Sequence, residues 1–375
     1  MNNARLPAKE GLGQVLRILP IILQAKILKQ MKRINIPFIL PLACLLTCLS
    51  LSSCQDQHKK TDVQTIGSIE RYDDEINQVI PEEAVIQILA DGFDWSEGPL
   101  WISEGNYLIF SDIPPNRIYR WSQEDSITIY LEPSGYTGDM PRKGESGSNG
   151  LLLDPDGALI LCQHGDRRVA KMDAPLNKPQ PVYKTLIGQY GDKKLNSPND
   201  ACYHSNGDLY FTDPPYGLEK NVDDPEKELE FQGVYRLSPD GSLQLLTNDL
   251  SRPNGIALSP DEKTLYVANS DPDRAIWMAY EMQSDGTLDN GRVFFDATEK
   301  VGKEKGLPDG LKVNKKGFLF ATGPGGVWVF NPGGKNIGMI RTTQATANCA
   351  FNDDESALYI TADMYLLRVD LKSMN

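Results

Sequence analysis

Short apolar runs alternate with polar turns along residues 84–375. Five segments follow one pattern, in which two strand-like runs flank a turn rich in Asp, Asn and Gly: LLLDPDGALILCQHG, ACYHSNGDLYFTDPP, IALSPDEKTLYVANS, LKVNKKGFLFATGPG and CAFNDDESALYITAD. Another apolar run follows, as in GGVWVFN and YLLRVDL. β-Branched and aromatic residues on both sides of a tight turn are typical of β-hairpins. The pattern therefore predicts repeated antiparallel units of strands.

A short polar motif accompanies each repeat, and the motifs share a central Glu, Asp or Asn. These central residues are Glu97, Asn149, Asn199, Asn254, Asp309 and Asn348. Repeats of about 40–50 residues that contain three or four strands are typical of β-propellers. We predict an all-β fold, a single six-bladed β-propeller over residues 84–375 with four-stranded antiparallel blades around a central channel. The strand VIQILA, residues 85–90, is predicted to complete the last blade beside YLLRVDL, so that no sheet edge stays open.

The six central residues, called the ring residues below, should converge at one mouth of the channel, because the first strand of each propeller blade lines it. Two carboxylates and four amides at one place form a ring rich in oxygen. Calcium binds six to eight such oxygens in flexible geometry. The ring contains no thiol or imidazole, which disfavours zinc or copper. A purely structural ring remains the alternative, because Asn before Gly is common in turns.

The charge of the chain limits its partners. Acidic residues outnumber basic ones 51 to 38, for a formal net charge of −13. Residues 1–54 are basic, so the rest of the chain is more acidic still. Such a body repels nucleic acid and attracts cations. With 40% hydrophobic residues the chain is too apolar for disorder.

The first 54 residues resemble a bacterial lipoprotein signal peptide. A basic start at Met31-Lys32-Arg33 leads into an apolar run and then into Leu51-Ser52-Ser53-Cys54. We expect cleavage before Cys54 and lipid attachment to its sulfur, which would export the protein and anchor it to a bacterial membrane, on the periplasmic side or at the cell surface. An uncleaved transmembrane helix is the alternative. Translation starting at Met31 would account for residues 1–30, and residues 55–83 are predicted to be a polar tether.

Several motifs together resemble the SMP-30/gluconolactonase family, and most of all its bacterial gluconolactonase branch. They are Glu97-Gly98-Pro99, Ser197-Pro198-Asn199-Asp200, YFTDPPYG (210–217), Arg252-Pro253-Asn254-Gly255, Pro308-Asp309-Gly310 and TGPGGVWV (322–329). The resemblance covers residues 92–371. It implies a six-bladed propeller that binds a divalent metal and hydrolyses sugar lactones. Calcium is the metal expected first, with zinc, magnesium or manganese as alternatives.

The resemblance also implies roles for individual ring residues. Glu97, Asn254 and Asp309 would be metal ligands, and Asn199 would lie close to both metal and substrate. Asp309 would in addition be the catalytic acid/base. The animal branch has an Arg two positions before the residue that matches Asn199, where this chain has Ser197. Substrate contacts therefore cannot be transferred from that branch.

Three further residues are candidate substrate contacts. Asn149 and Asn348 are ring residues without an implied metal role. His164 follows a strand-like run at the place where Asp213 and Asn269 occur in other repeats. We therefore place it near the channel mouth.

The leading hypothesis is a metal-dependent hydrolase that opens a lactone of the glucono-1,5-lactone type by attack of a metal-activated water. Asp309 would take a proton from the water and return it to the ring oxygen. A serine hydrolase is disfavoured, because Gly144-Glu145-Ser146-Gly147 lacks the spacing of a nucleophile elbow. The alternatives are a lactonase or esterase of other specificity and a non-catalytic, lipid-anchored binding module. The predicted partners are a small sugar lactone and, through Cys54, a membrane. The sequence does not indicate which protein partners, if any, the chain has.

Overall fold

Antiparallel strand pairing organises residues 63–373, the part of the chain that the computed structural model describes. The first four blades are sheets of four strands that are consecutive in the chain. They comprise Ser96–Ile102, Tyr107–Asp112, Arg117–Ser122 and Ser126–Leu131 (blade 1); Ser148–Leu153, Leu159–Gln163, Arg168–Met172 and Tyr183–Ile187 (blade 2); Ala201–Tyr203, Leu209–Asp213, Gly233–Leu237 and Leu243–Thr247 (blade 3); and Pro253–Leu258, Thr264–Asp271, Arg274–Met282 and Leu288–Asp296 (blade 4). The strands predicted from the hairpin pattern of the repeats are therefore present in the structure.

The last two blades each take a strand from the N-terminal side of the propeller. Their strands are Leu311–Val313, Leu319–Gly323, Gly326–Phe330 and Asn336–Arg341, with Ser68–Arg71 added at the edge (blade 5), and Thr346–Phe351, Ala357–Ala362 and Tyr365–Asp370, with Ile86–Asp91 as the fourth strand (blade 6). Ile86–Asp91 pairs antiparallel with Tyr365–Asp370. The predicted six-bladed propeller and its closure by the strand near residue 85 are confirmed.

The remaining elements are short. A two-stranded hairpin joins Gln189–Tyr190 to Lys193–Lys194, and the 3₁₀ helices are Asp74–Gln78, Ser103–Gly105, Asn221–Asp223 and Thr298–Lys300. None of the helices in residues 63–373 has the length and apolar character of a membrane span.

The apolar core lies between the blades. Each of six clusters of buried side chains combines residues from two neighbouring blades. Blade 6 packs on blade 1 in the same way, with Leu366 in one cluster with Phe110. Full burial of one such side chain contributes about 1.5–3 kcal/mol. The closed ring of interfaces therefore holds the first strands of the blades in fixed positions around the channel.

The segment before residue 84 corrects the prediction of a polar tether over 55–83. Ser68–Arg71 pairs with Asn336–Arg341, and the helix Asp74–Gln78 follows. Ile76, Val79 and Ile80 are fully buried against blades 5 and 6. These few apolar residues stand in a segment that is otherwise polar and charged and that lacks the turn typical of the repeats, so the pattern did not reveal them. The predicted signal segment 1–54, Cys54 and the start of the tether lie outside the described residues.

Candidate active site

Five of the six ring residues line one cavity of about 380 Å³. Glu97, Asn149 and Asn254 lie in the first strands of their blades, and Asn199 and Asp309 lie two positions before theirs. The cavity is completed by Trp95, Glu145, Tyr216, Ser270, Pro272, Val301, Gly306, Leu307, Ala345 and Thr346. The predicted convergence of the ring residues is therefore present in the structure, with Asn348 outside the cavity lining.

Hydrogen bonds from one blade hold the ring residue of the next. Ser111 Oγ in blade 1 donates to the carbonyl oxygen of Asn149 in blade 2 at 2.9 Å. Thr212 Oγ1 in blade 3 likewise donates to the carbonyl oxygen of Asn254 in blade 4 at 2.6 Å. The second strand of each of these blades thus fixes a backbone position of the next ring residue.

Close packing near the axis explains the glycine of the Pro-Asp-Gly motif. A Cβ atom on Gly310 would overlap the side chain of Asn348. The amide of Gly310 also donates to the carbonyl oxygen of Ala347 at 2.7 Å. Only a residue without a side chain lets blade 5 approach blade 6 this closely beside Asp309.

Glu97 is buried and Asp309 is half-buried, and their carboxylates repel each other when no cation lies between them. Glu97 is 2% exposed, and its Oε2 accepts the amide N–H of Gly98 at 2.9 Å. Burial, together with the charges of Asp200 and Glu145, raises the pKa of Glu97 to about 8. Burial and then the charges of Glu97 and Glu145 raise the pKa of Asp309 well above its usual value. A cation bound between these carboxylates would relieve this repulsion.

The oxygen atoms of the cavity fit a hard divalent cation. Asp309 Oδ1 and Asn149 Oδ1 are buried without a hydrogen-bond partner among the described residues. Asn254 Nδ2 donates to Ser270 Oγ at 3.0 Å, which leaves its Oδ1 free to accept or coordinate. Within residues 63–373 no group of three or more His, Cys, Asp or Glu side chains is placed to hold a metal ion. A site here must therefore combine the two carboxylates with amide oxygens, as calcium sites do.

A lysine in the first strand of blade 5 supports the ring through Asn348. Lys312 Nζ lies 3.6 Å from Asp200 Oδ2 and donates to Asn348 Oδ1 at 3.3 Å. The amide N–H of Cys349 donates to the same Asn348 oxygen at 2.9 Å. The side chain of Asn348 also lowers the pKa of Glu97 and so favours its charged form. Asn348, expected to contact substrate, thus lies outside the cavity lining and acts on a ring carboxylate.

His164, also expected to contact substrate, lies behind the cavity wall. It is fully buried, and its Nδ1 lies 2.9 Å from Oε2 of Glu145. Glu145 lines the cavity on the loop 132–147 between blades 1 and 2. The sequence did not indicate Glu145 as a site residue, because its loop lies outside the repeats and Glu145 therefore matches no repeated motif position.

Ser197 is a structural residue. It is fully buried, donates through Oγ to the carbonyl oxygen of Pro214 at 2.6 Å and accepts the N–H of Gly217 at 2.8 Å. These bonds hold the turn that carries Tyr216, which lines the cavity. Tyr216 belongs to the motif YFTDPPYG (210–217), to which the family resemblance assigned no role. Ser197 therefore does not take over the substrate contact that the arginine at this position is expected to make in the animal branch.

Known proteins are similar to this chain in sequence and in fold. Residues 95–363 match the family described as SMP-30/gluconolactonase/LRE-like region. The chain is 38% identical over 345 residues to a gluconolactonase of Zymomonas mobilis, which covers 89% of this chain and 94% of that protein.

Two solved structures extend the comparison. One is a gluconolactonase from Xanthomonas campestris, with 32% identity and a TM-score of 0.71 over 82% of this chain and 97% of that one. The other is a calcium-binding protein, regucalcin, from Agrobacterium tumefaciens, with 18% identity and a TM-score of 0.58 over 76% of this chain and 94% of that one. The second likeness is one of fold alone. On the family match, the identity to the Zymomonas protein and the ring of buried oxygen donors, the chain belongs to the SMP-30/gluconolactonase/LRE-like family.

Proposed function

We propose that this chain, a lactone hydrolase by its family, opens sugar lactones of the glucono-1,5-lactone type with the help of a divalent cation. One observation carries the proposal: the carboxylates of Glu97, which is buried, and of Asp309, which is half-buried, line a single cavity with the amides of Asn199 and Asn254. A gluconolactonase is 38% identical over most of the chain. The cavity of about 380 Å³ is within the usual range for a small-molecule site.

Glu97, Asn254 and Asp309 are the proposed ligands of the cation, and Asn199 lies beside them in the cavity lining. Calcium is preferred, because every donor is an oxygen and the donors include neutral amides. Zinc, magnesium and manganese are the alternatives. A divalent cation bound here supplies positive charge that polarises the lactone carbonyl and stabilises negative charge on its oxygen.

Asp309 is proposed to be the general base. Its Oδ1 makes no hydrogen bond to any described residue and so is available to a water molecule. The carboxylate takes a proton as the water oxygen adds to the carbonyl carbon. The bond from that carbon to the ring oxygen then breaks, and Asp309 returns the proton to the ring oxygen. The product is an open-chain hydroxy acid.

The proposal is tested by following acid release from glucono-1,5-lactone with a pH indicator. Chelator-treated protein is compared with the same protein after calcium, zinc, magnesium or manganese is returned. We expect hydrolysis above the spontaneous rate with at least one of these ions. A rate equal to the spontaneous rate with every ion, and with other lactones and esters, would instead favour the binding module.

We also propose that the protein is exported and held on a bacterial membrane by a lipid on Cys54. The basic start, apolar run and Leu51-Ser52-Ser53-Cys54 motif support this. Cys54→Ser should leave the membrane fraction and keep its activity per molecule. Equal recovery of the variant and the wild type in membranes would refute the anchor.

A further inference from the structure

A third carboxylate, Glu145, faces the same cavity as Glu97 and Asp309. It comes from the loop 132–147 and not from a ring position. Among the described residues, no Lys or Arg lines the cavity. A ligand that fills the cavity beside Glu145 must therefore be a hydrogen-bond donor or a cation.

The loop that carries Glu145 is anchored at several points. Asn116 Oδ1 accepts the backbone N–H groups of Ser134 at 3.0 Å and of Gly135 at 2.7 Å. The N–H of Gly147 donates to the carbonyl oxygen of Ile113 at 2.8 Å. These bonds tie both ends of the loop to the turn between the second and third strands of blade 1.

The middle of the loop is fixed to blades 2 and 3. The Arg142 guanidinium donates to the carbonyl oxygens of Gly165 and Gly217. A Cβ atom on Gly165 would overlap the carbonyl oxygen of Ser146, so the loop packs flush against the neighbouring turn. Glu145 therefore stands on a rigid support, which is what a recognition residue requires.

The His164 imidazole lies directly behind the Glu145 carboxylate. His164 is fully buried, and its Nδ1 is 2.9 Å from Glu145 Oε2. Neither ring nitrogen makes a hydrogen bond of good geometry to a described residue, so the approach of Nδ1 to Glu145 is a close polar contact. The Glu145 side chain remains 33% exposed, so its carboxylate can still accept a hydrogen bond from a ligand. The contact restrains the carboxylate on one side and leaves it open on the other.

We propose that Glu145 binds a hydroxyl group of the substrate and that His164 positions it, so that the pair selects polyhydroxylated lactones over apolar ones. The inference rests on the proposed lactonase function and adds the chemical feature that the cavity recognises. A carboxylate accepts a charge-assisted hydrogen bond from a hydroxyl, and an unsubstituted lactone has no hydroxyl to offer. Asp309 keeps the role of base, and Glu145 acts on binding.

The test compares glucono-1,5-lactone with δ-valerolactone, which has the same ring without hydroxyls. Glu145→Gln should lower kcat/KM for the sugar lactone by about 10- to 100-fold, the effect of one charge-assisted hydrogen bond, and leave δ-valerolactone nearly unchanged. Calcium affinity, measured by calorimetry, should fall much less than in Glu97→Gln, because Glu145 acts on the cation site only through its charge. Glu104→Gln, a change at an exposed glutamate of blade 1, is the matched control and should alter none of these quantities.

Two His164 variants test positioning. His164→Leu removes the polar contact with Glu145 and should reproduce the effect of Glu145→Gln on KM. His164→Asn offers an amide donor and should retain most of the preference for the sugar lactone. The Glu145 variant decides the proposal by itself if His164→Leu fails to fold.

Binding of non-hydrolysable lactams separates this inference from the proposed function. Wild-type protein should bind gluconolactam more tightly than δ-valerolactam, and Glu145→Gln should lose that difference, whether or not either lactone is hydrolysed. Equal losses on both lactones, a loss of calcium affinity as large as that in Glu97→Gln, or an unchanged preference in Glu145→Gln would each overturn the assignment. Failure of the wild type to hydrolyse any lactone would instead refute the proposed function.

Discussion

Replacing Asp309 with Asn separates proton transfer from cation binding. The change keeps the size of the side chain and one coordinating oxygen, but it removes the charge and the proton acceptor. The backbone N–H of Asp309 donates to the carbonyl oxygen of Thr322 at 3.0 Å, and the substitution does not disturb this bond. The charges of Glu97 and Glu145 repel that of Asp309 in the folded protein. We therefore expect the cation-free variant to be at least as stable as the wild type.

The expected loss of turnover follows from the role of a general base. Such a group contributes about 10²–10⁴ in rate, or about 2.7–5.5 kcal/mol of activation free energy. The assay is kcat for glucono-1,5-lactone at calcium concentrations that saturate each variant. Glu97→Gln is the control, because it removes a carboxylate from the same ring but not the proposed base. It should need more calcium and then recover more activity than Asp309→Asn.

Full recovery of Asp309→Asn at high calcium would make Asp309 a ligand only. Equal recovery of the two variants would refute the general base and leave water activation to the cation alone. A melting temperature of Asp309→Asn far below that of the wild type would show that the side chain is needed for packing, and would contradict its assignment to the active site.

Three further results are expected. Because burial raises the pKa of Glu97 to about 8 from its usual 4.5, the cation-free protein should lose stability as pH rises between these values, by at most about 1.4 kcal/mol per pH unit for this group. Calcium should reduce this dependence of the unfolding free energy on pH, measured by urea unfolding. An unfolding free energy that does not change with pH in the presence of chelator would contradict this. Lys312→Met should cost about 1–3 kcal/mol of unfolding free energy, because it leaves the buried Asp200 carboxylate without its cationic partner, and an unchanged urea midpoint would refute the pair. Gly310→Ala should lower both the melting temperature and calcium affinity, because the added methyl group overlaps Asn348, and wild-type values for both would show that the approach is not tight.

The regular part of this fold could be predicted because each repeat carries its own signal. Alternating β-branched and aromatic residues around an Asp, Asn or Gly turn define hairpins locally. The recurrence of one polar motif then gives the number of blades. Even the non-local pairing of Ile86–Asp91 with Tyr365–Asp370 followed, because a closed propeller has no place for an open edge.

The parts that could not be predicted depend on contacts between segments without a repeat. The strand Ser68–Arg71 is polar in sequence and finds its place only because blade 5 presents a free edge. Nothing in the sequence around Glu145 distinguishes it from other loop glutamates, because only the packing of the loop on blades 2 and 3 places it at the cavity. Lys312 occupies a strand position whose neighbours, Asp200 and Asn348, come from other blades. A single sequence does not show such pairings between blades.

The central claim is that one divalent cation at the ring of Glu97, Asn254 and Asp309 is required for lactone hydrolysis. Its most direct test is the rate of glucono-1,5-lactone hydrolysis by chelator-treated protein as calcium is returned in known equivalents. We predict the spontaneous rate without calcium and a rise that saturates at one equivalent per chain when the protein concentration exceeds Kd. An undiminished rate in the presence of chelator would contradict the claim.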